Sequence, residues 1–349
     1  MQYRQLGNTG LQVSIIGFGG IPIIERPDRE AIQVVRQARE LGVNLFDTAR
    51  AYERKGLSIL ASEDKIGLAL AEERGELILC TKTQAALAEE AADHLQDSLR
   101  RLRTDYLDIW MLHSVDKLSK WETISGAGGA LEVFLRARER GTVRYLGISG
   151  HRPDVLHTIL EQFPFEVVMV PVNIVDRHVY NVETSLLPYC RQRGIGVLAM
   201  KPLAGGMLKE YAPLALRYCL GQDIASALPG MGTVEEVEVD VGAAADPRPL
   251  TPGEEEGLWQ KVRALGLDFC RGCGYCLPCS VGIDIPTVFR LDGYFQRYGQ
   301  EEWARQQYAE ISPQADKCIE CGDCESRCPY TLPIREKLRQ THARLTPRP

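Results

Sequence analysis

Long apolar runs are missing from this chain of 349 residues. None approaches the ~20 residues that a membrane-spanning helix needs, and the start, Met1-Gln2-Tyr3-Arg4, lacks the apolar core of a signal peptide. The chain also has no excess of positive charge: 41 lysines and arginines against 47 aspartates and glutamates give a net charge of −6. We therefore expect no membrane insertion, no nucleic-acid partner and a cytoplasmic location, where thiols stay reduced.

Eight of the eleven cysteines fall in two short runs near the C-terminus. The second run has the spacing C-x2-C-x2-C-x3-C-P, which is that of bacterial ferredoxins. The first run departs from it, because two residues rather than three precede its last cysteine, and Ser280 follows where proline is usual. The cysteines are Cys270, Cys273, Cys276, Cys279, Cys318, Cys321, Cys324 and Cys328.

The ferredoxin spacing predicts two [4Fe-4S] clusters whose fourth ligands are exchanged between the runs. Cys328 would then complete the cluster of the first three cysteines, and Cys279 the cluster of Cys318, Cys321 and Cys324. Three alternatives are zinc knuckles, disulfides, and a single cluster on the second run with a structural first run. The other cysteines, Cys80, Cys190 and Cys219, lie in apolar segments and are expected to be buried thiols.

Upstream of the cysteines, short apolar strands alternate eight times with helical segments that carry charged faces. The first strand is predicted over Val13–Gly20. An eightfold alternation is typical of a (β/α)8 TIM barrel and favours closure over an open doubly wound sheet. The predicted domains are a barrel over 1–245, a linker and helix over 246–268, and a small α-helical ferredoxin-like iron–sulfur domain over 269–345.

Polar side chains follow three consecutive strands of the predicted barrel, where catalytic residues of such barrels lie. They are Asp47, Lys82 and His113, and Tyr52 follows in the loop after Asp47. Hydride addition to a carbonyl leaves negative charge on oxygen, which requires a proton donor. We expect the lysine to lower the pKa of the tyrosine, the aspartate to hold the lysine, and the histidine to orient the carbonyl.

These motifs together resemble an aldo-keto reductase, of about residues 1–240, fused to a ferredoxin-type domain. The stretches that carry the resemblance are Gly17-Phe18-Gly19-Gly20, Asp47-Thr48-Ala49-Arg50-Ala51-Tyr52, Ser62-Glu63-Asp64-Lys65-Ile66-Gly67, Thr81-Lys82-Thr83, Asp105-Tyr106-Leu107-Asp108, Gly147-Ile148-Ser149, Lys201-Pro202-Leu203 and Leu228-Pro229-Gly230. The resemblance implies a Tyr52/Lys82/Asp47/His113 tetrad and NAD(P)H across the barrel mouth. It also implies the nucleotide contacts Gly20, Ser149, Lys201, Pro202, Leu203, Pro229, Gly230, Gly232 and Thr233.

Several positions depart from that family pattern. Gly150 and His151 follow the serine where asparagine is usual, Met169 replaces a glutamine, and Gly232 and Val239-Asp240 replace a serine and a Glu-Asn pair. The segment Met231–Glu236 has no lysine or arginine for a 2′-phosphate, which slightly favours NADH. The alternative is that nicotinamide binding is weak or lost.

The two halves predict an oxidoreductase that acts on a small carbonyl or alcohol and exchanges electrons with a ferredoxin or flavoprotein. One alternative is an iron–sulfur electron-transfer protein with a barrel of little nicotinamide-dependent activity. Another is a reductase whose clusters are structural or sense oxygen. The loop between Tyr52 and Ser62 is an insertion with three possible roles: it shapes the substrate pocket, it contacts the cluster domain, or it is a surface loop without a role in the site.

Overall fold

The computed structural model describes residues 1–53, 60–180, 182–265, 268–297 and 301–346. The chain divides into two compact units, 1–258 and 259–349. Among the described residues, no helix is both long and apolar enough to cross a bilayer.

The first unit begins with an antiparallel hairpin of strands β1 (Tyr3–Gln5) and β2 (Gln12–Ser14). Eight parallel strands follow, in sequential order around one sheet. They are β3 (Phe18–Gly19), β4 (Leu45–Asp47), β5 (Ile78–Thr83), β6 (Leu107–Leu112), β7 (Val143–Ser149), β8 (Val167–Pro171), β9 (Gly196–Met200) and β10 (Ser226–Leu228). Bridges from Ile16 to Ala227 and from Gly19 to Gly230 join the two edges. The predicted (β/α)8 barrel is therefore confirmed.

Helices separate the barrel strands and cover them from outside. In this unit they are α1 (Asp28–Glu40), α2 (Ser62–Leu70), α3 (Ala88–Leu102), α4 (Leu118–Ser125), α5 (Ala130–Glu139), α6 (Pro153–Gln162), α7 (Ile174–Tyr180), α8 (Leu186–Arg193), α9 (Ala212–Leu220) and α10 (Val234–Gly242). In α1 the buried residues are Ala31, Val34, Val35 and Ala38, which form one stripe at helical spacing. Most strand residues are buried on both faces, because helices cover one face and the barrel core the other.

The predicted first strand, Val13–Gly20, is wrong as a single element. Its first residues belong to β2 and its last to β3, with a break between them. The hairpin residues Leu6, Leu11 and Val13 pack with Leu45 and Ile78 in the barrel core. The hairpin therefore closes the end of the barrel opposite the carboxyl ends of the strands.

Helix α11 (Pro252–Leu265) spans the division between the units, and four helices follow: α12 (Ile285–Arg297), α13 (Glu301–Glu310), α14 (Asp323–Ser326) and α15 (Ile334–Leu345). Asp292 of α12 accepts two hydrogen bonds from Arg344 of α15, at 2.8 and 2.7 Å. The Tyr308 hydroxyl of α13 contacts His342 Nδ1 at 2.8 Å. These buried polar links hold the three longer helices of the second unit together, while the cysteine runs lie in the loops before α12 and around α14.

Candidate active site and cysteine sites

The barrel brings the four predicted catalytic residues to one rim. Asp47 ends β4, Lys82 is the penultimate residue of β5, and His113 follows β6 directly. Parallel register places Asp47 beside Cys80 and Lys82 beside Met111, so the three side chains lie at the carboxyl ends of adjacent strands. Tyr52 turns back over this rim, and its carbonyl accepts a hydrogen bond of 2.9 Å from the Ser62 amide at the start of α2.

Lys82 and Asp47 form a buried ion pair. The lysine Nζ lies 2.6 Å from Asp47 Oδ1 and 2.7 Å from Oδ2, and it also donates to the Thr48 carbonyl at 2.6 Å. The two residues are 1 % and 6 % exposed. Burial lowers the pKa of Lys82, but the Asp47 carboxylate outweighs it and raises the pKa above the ordinary value. The amine therefore stays charged under all physiological conditions.

Tyr52 lies against this ammonium. Lys82 Nζ is 5.2 Å from the centre of the Tyr52 ring. Burial raises the pKa of the phenol, while the charge of Lys82 and its hydrogen bond lower it. The expected net lowering of the Tyr52 pKa is wrong for this structure, because burial and the Asp47 charge outweigh the lysine. The hydroxyl is thus protonated at neutral pH and available as an acid.

His113 is held uncharged beside the phenol. Its ring meets the Tyr52 ring edge to face, with centroids 5.7 Å apart. Burial lowers the pKa of His113 well below its ordinary value, and the charge of Lys82 lowers it further. Its buried Nδ1 has no hydrogen-bond partner among the described residues. A neutral imidazole at this position can donate one N–H to a carbonyl oxygen without carrying a proton away.

Three residues to which the sequence assigned no role, Lys120, Asp116 and His151, also lie near this rim. Lys120 of α4 donates to the His113 carbonyl at 2.9 Å and fixes the turn after β6. The backbone amide of His151 donates to Asp116, whose carboxylate lies 3.7 Å from the His151 ring nitrogen. Burial lowers the pKa of His151 to about 4, and Lys201 contributes to that shift. Lys201, from the other side of the barrel, therefore shares the mouth with both histidines.

The predicted nicotinamide contact Ser149 is engaged within the protein. Its hydroxyl donates to the Leu112 carbonyl at 3.2 Å and accepts from the Ser114 amide at 3.2 Å. Met169, which pairs with it on β8, is 1 % exposed and belongs to the apolar core. A Cβ on Gly150 would lie 2.9 Å from Asp116 Oδ1, so a side chain there would have to displace the Asp116 carboxylate. The side chains after β7 and on β8 thus offer a nicotinamide amide few partners.

The glycine-rich turns come together on the opposite side of the mouth. A Cβ on Gly20 would lie 2.7 Å from Ser62 Oγ, and one on Gly230 would lie 2.8 Å from Pro22. Both turns follow barrel strands, β3 and β10, that are joined by the bridge at Gly19. Buried Lys65 donates to the carbonyls of Ile23 and Arg26 at 2.8 Å each, which fixes the segment after Gly20.

The first turn of α10 carries the remaining predicted nucleotide residues. Thr233 accepts from the Glu236 amide at 3.2 Å and caps the helix, while Gly232 donates its amide to Glu236 Oε2 at 2.7 Å. Pro229 lies just before this turn, and Lys201, Pro202 and Leu203 follow β9 next to it. Arg26 Nε would be 3.5 Å from a Cβ on Gly232. No pattern in the sequence points to Arg26 at this turn, because it is distant from Gly232 along the chain.

The second cysteine run encloses a small cavity with one cysteine of the first run. The lining includes Cys279, Cys318, Cys321 and Cys324. Ser280 Oγ lies 3.6 Å from Cys321 Sγ, and Arg327 donates to the Pro278 carbonyl at 3.0 Å, which ties the two runs together. These four cysteines are the set expected to share one cluster.

The other four cysteines also lie near one another. Burial raises the pKa of the Cys276 thiol, and Cys270, Cys273 and Cys328 raise it further, so all three are close to it. The Gly272 amide donates to Cys270 Sγ at 3.3 Å. Among the described residues, no three His, Cys, Asp or Glu side chains are close enough to hold a single metal ion. Each set consists of four cysteine thiols, which is the donor chemistry that a [4Fe-4S] cluster requires.

Most of the predicted insertion between Tyr52 and Ser62 lies outside the described residues. Its first residue, Glu53, is described. It accepts from Arg50 at 3.1 Å and from Arg101 of α3 at 3.0 Å. These ion pairs hold the start of the loop, directly after Tyr52, onto the barrel.

Comparisons with known proteins agree with this geometry. Residues 15–213 match the aldo/keto reductase family, and residues 269–333 match a 4Fe-4S dicluster domain. The chain is 31% identical to L-galactose dehydrogenase of Arabidopsis thaliana, over 76% of this chain and 96% of that protein. It is 29% identical to 6-dehydroglucose reductase of Novosphingobium aromaticivorans, over 59% and 70%. Aldo-keto reductase AKR11C1 of Bacillus halodurans, a solved structure, has a TM-score of 0.63 and 27% identity, over 76% and 97%.

Proposed function

Because the chain belongs to the aldo/keto reductase family, we propose that its barrel interconverts a small carbonyl compound and an alcohol with NAD(P)H, with NADH preferred. The observation that carries this proposal is the buried Lys82–Asp47 pair beneath the Tyr52 phenol. Bound nicotinamide would supply or accept the hydride. The protein's own residues handle the proton and the charge on oxygen.

In the reducing direction, Tyr52 donates the phenolic proton to the carbonyl oxygen as the hydride reaches the carbonyl carbon. Its raised pKa keeps that proton in place at neutral pH. The Lys82 ammonium stabilises the phenolate that remains, and Asp47 keeps the ammonium charged and fixed. Neutral His113 donates a hydrogen bond to the same oxygen and orients the carbonyl. In the oxidising direction Tyr52 must first lose its proton to solvent, and the resulting phenolate, stabilised by the Lys82 ammonium, accepts the proton from the alcohol.

The nucleotide preference follows from charge at the first turn of α10. Arg26 supplies a positive charge for the diphosphate that NADH and NADPH share. Glu235 and Glu236 lie in the first turn, and Glu236 already accepts the Gly232 amide and pairs with Lys209. In this arrangement Arg26 meets the diphosphate and Lys209 is already paired with Glu236, which leaves the Glu235 carboxylate to repel an added 2′-phosphate, so NADH should bind more tightly.

The substrate class that we propose is a sugar or a related polyol. The reason is that two relatives are named as a dehydrogenase of L-galactose and a reductase of 6-dehydroglucose. The test is a screen of anaerobically purified protein with NADH and sugar-derived carbonyls, and with NAD⁺ and free sugars. Turnover that prefers sugars to simple aldehydes and ketones of similar size supports this class. If none of these compounds is turned over in either direction, the proposed barrel activity is wrong.

In the second unit, we propose two [4Fe-4S] clusters that exchange single electrons with a partner protein, a ferredoxin or flavoprotein. Their ligands would be Cys270, Cys273, Cys276 and Cys328 for the first cluster and Cys318, Cys321, Cys324 and Cys279 for the second. The cavity lined by Cys279 and the second run supports this exchange of ligands.

Iron analysis and electron paramagnetic resonance of Cys279→Ser test the assignment, with Cys321→Ser to mark the signal of the second-run cluster and Cys190→Ser, a buried barrel cysteine, as the control for iron content. The exchanged assignment predicts that Cys279→Ser disturbs the cluster of the second run and leaves the other intact. Loss of the first-run cluster instead would show that each run holds its own cluster. Cys190→Ser should keep the full iron content.

A second candidate function is electron transfer alone, with a barrel that binds nicotinamide weakly. The engaged Ser149 hydroxyl and the buried Met169 favour it, because they remove two contacts to the nicotinamide amide. Isothermal titration with NADH separates the candidates. Absence of NADH binding in protein with intact clusters, together with electron uptake from reduced ferredoxin, would support the second candidate over the first.

A further inference from the structure

Arg271 is a buried cation within the first cysteine run. It is 3 % exposed. Its guanidinium carbon lies 3.9 Å from the centre of the Phe269 ring and 4.9 Å from the centre of the Tyr330 ring. One of its terminal nitrogens also donates to the Phe269 carbonyl. The two aromatic rings and this hydrogen bond hold the charge in one place, away from bulk water.

The position of Arg271 relates it to one cluster rather than to both. Phe269 directly precedes Cys270, and Tyr330 follows Cys328 with one proline between them. Cys270 and Cys328 are the first and the last ligand of the proposed first cluster. The guanidinium therefore lies where the two ends of that ligand set meet, and Arg271 itself is in the loop between Cys270 and Cys273.

The cations beside the second cluster are different. Arg335 lines the cavity of the second run, but its side chain is 43% exposed and pairs with Glu325 at 2.8 Å. Arg327 is also engaged at the surface, by the carbonyls of Asp323 and Pro278. Cys321 is exposed to solvent. Water and a carboxylate thus screen the positive charge near the second cluster.

This difference has an electrostatic consequence. One-electron reduction of an iron–sulfur cluster adds one negative charge to the cluster, and no bond to the protein forms or breaks. An arginine stays protonated in proteins, and its attraction for that added charge is stronger in a buried site than in water. A fixed buried cation therefore favours the reduced form of the cluster beside it.

We propose that Arg271 raises the reduction potential of the first cluster above the value that this cluster would have without the buried charge. Arg271 is a positioning and tuning residue in this proposal and does not bind iron. The proposal rests on the proposed ligand assignment.

The test is a redox titration of the full-length protein with dithionite as the electron donor, followed by electron paramagnetic resonance. The variants are Arg271→Met, which removes the charge but keeps much of the volume, and Tyr330→Leu, which keeps the charge and removes one ring. Arg339→Met is the matched control, because Arg339 is an exposed arginine of α15 in the same unit. Cys321→Ser identifies which signal belongs to the second cluster, because Cys321 ligates that cluster whether or not the runs exchange ligands.

In wild-type protein we expect two one-electron steps, one for each cluster. Arg271→Met should lower the potential of the first-cluster step alone, and Tyr330→Leu should lower the same step by a smaller amount. Arg339→Met should change neither. Unchanged potentials in Arg271→Met, equal shifts of both steps, or a shift confined to the second cluster would each overturn the proposal.

If Arg271→Met loses iron, Tyr330→Leu decides, and unchanged potentials in that variant contradict the proposal. The ligand assignment is judged separately, by whether Cys279→Ser disturbs the same signal as Cys321→Ser. Wild-type protein with two clusters but without any effect of Arg271 would leave the proposed clusters intact and reject only their tuning.

Discussion

The ring of Tyr52 meets the ring of His113 edge to face, with centroids 5.7 Å apart, above the carboxyl ends of β4, β5 and β6. This contact places a proton donor and a neutral hydrogen-bond donor side by side. A carbonyl oxygen that accepts from both would lie between them. The proposed chemistry depends on this pair more than on any other two residues.

Replacing Tyr52 with phenylalanine should lower kcat by about 10²–10⁴-fold, the usual contribution of a positioned acid or base. The fold and the clusters should remain intact, because only one hydroxyl is removed. The measurement is steady-state turnover with NADH beside the visible spectrum of the clusters. Tyr145→Phe is the control, since its hydroxyl donates to the Thr9 carbonyl far from the mouth. Equal losses in both variants would contradict the assigned role of Tyr52.

Replacing Asp47 with asparagine should destabilise the barrel by about 3–5 kcal/mol, because it leaves the buried Lys82 ammonium without its countercharge. The Lys82 pKa should fall in this variant. The measurement is the free energy of unfolding of the barrel, followed by tryptophan fluorescence in urea. In the control, Glu73→Gln removes a surface partner of Arg39 and should cost no more than about 1 kcal/mol. An Asp47→Asn protein as stable as wild type would show that the pair contributes little.

Replacing Glu236 with glutamine should shift the nucleotide preference toward NADPH by about 2- to 5-fold. This corresponds to about 0.3–1 kcal/mol, the typical effect of one charge at a helix N-terminus. Glutamine retains an oxygen that can accept from the Gly232 amide, so only the charge is lost. The measurement is the ratio of kcat/KM for the two nucleotides. Glu238→Gln, on the exposed side of α10, should leave that ratio unchanged.

Asp240 makes stability depend on pH in a direction that is unusual for a carboxylate. Burial raises its pKa to about 7, and the neighbouring charge of Glu236 contributes. The native state then holds a proton that the unfolded state releases at lower pH, so stability falls as pH rises from about 4 to about 7. Asp240→Asn should remove this loss.

Unfolding in urea at several pH values measures the effect of Asp240→Asn. At pH 8 the variant should exceed wild type by on the order of 3 kcal/mol, and the difference should shrink toward pH 4. Asp246→Asn, at an exposed position after α10, should show no such trend. A constant difference at all pH values would mean that the gain does not come from the Asp240 proton.

The sequence predicted the barrel because eight strand and helix patterns alternate, and each strand end could be read from its polar residue. It therefore located Asp47, Lys82 and His113 correctly at one rim. It missed the break in the first strand, since the apolar residues from Val13 onward run continuously whether they pair in a hairpin or in the barrel. The additional short helix α4 was also missed, because the eight predicted strand–helix pairs already accounted for a complete barrel.

Other features of the site depend on contacts between distant parts of the chain. Arg26 reaches the turn at Gly232 only after the barrel closes, and no local pattern marks it. The net pKa of Tyr52 depends on how deeply the ring is buried, which spacing does not reveal. The cysteine spacing, in contrast, is a local rule about loops around iron, so the grouping of Cys279 with the second run could be anticipated.

The close approach of Asp116 to Gly150 affects how this barrel can be redesigned. An asparagine at position 150, as the family pattern would have, displaces the Asp116 carboxylate that receives the His151 amide. Restoring that asparagine therefore changes the turn that carries His151 as well as the pocket. Paired libraries at positions 116 and 150 are a more direct route to a tighter nicotinamide pocket than single-site libraries at position 150.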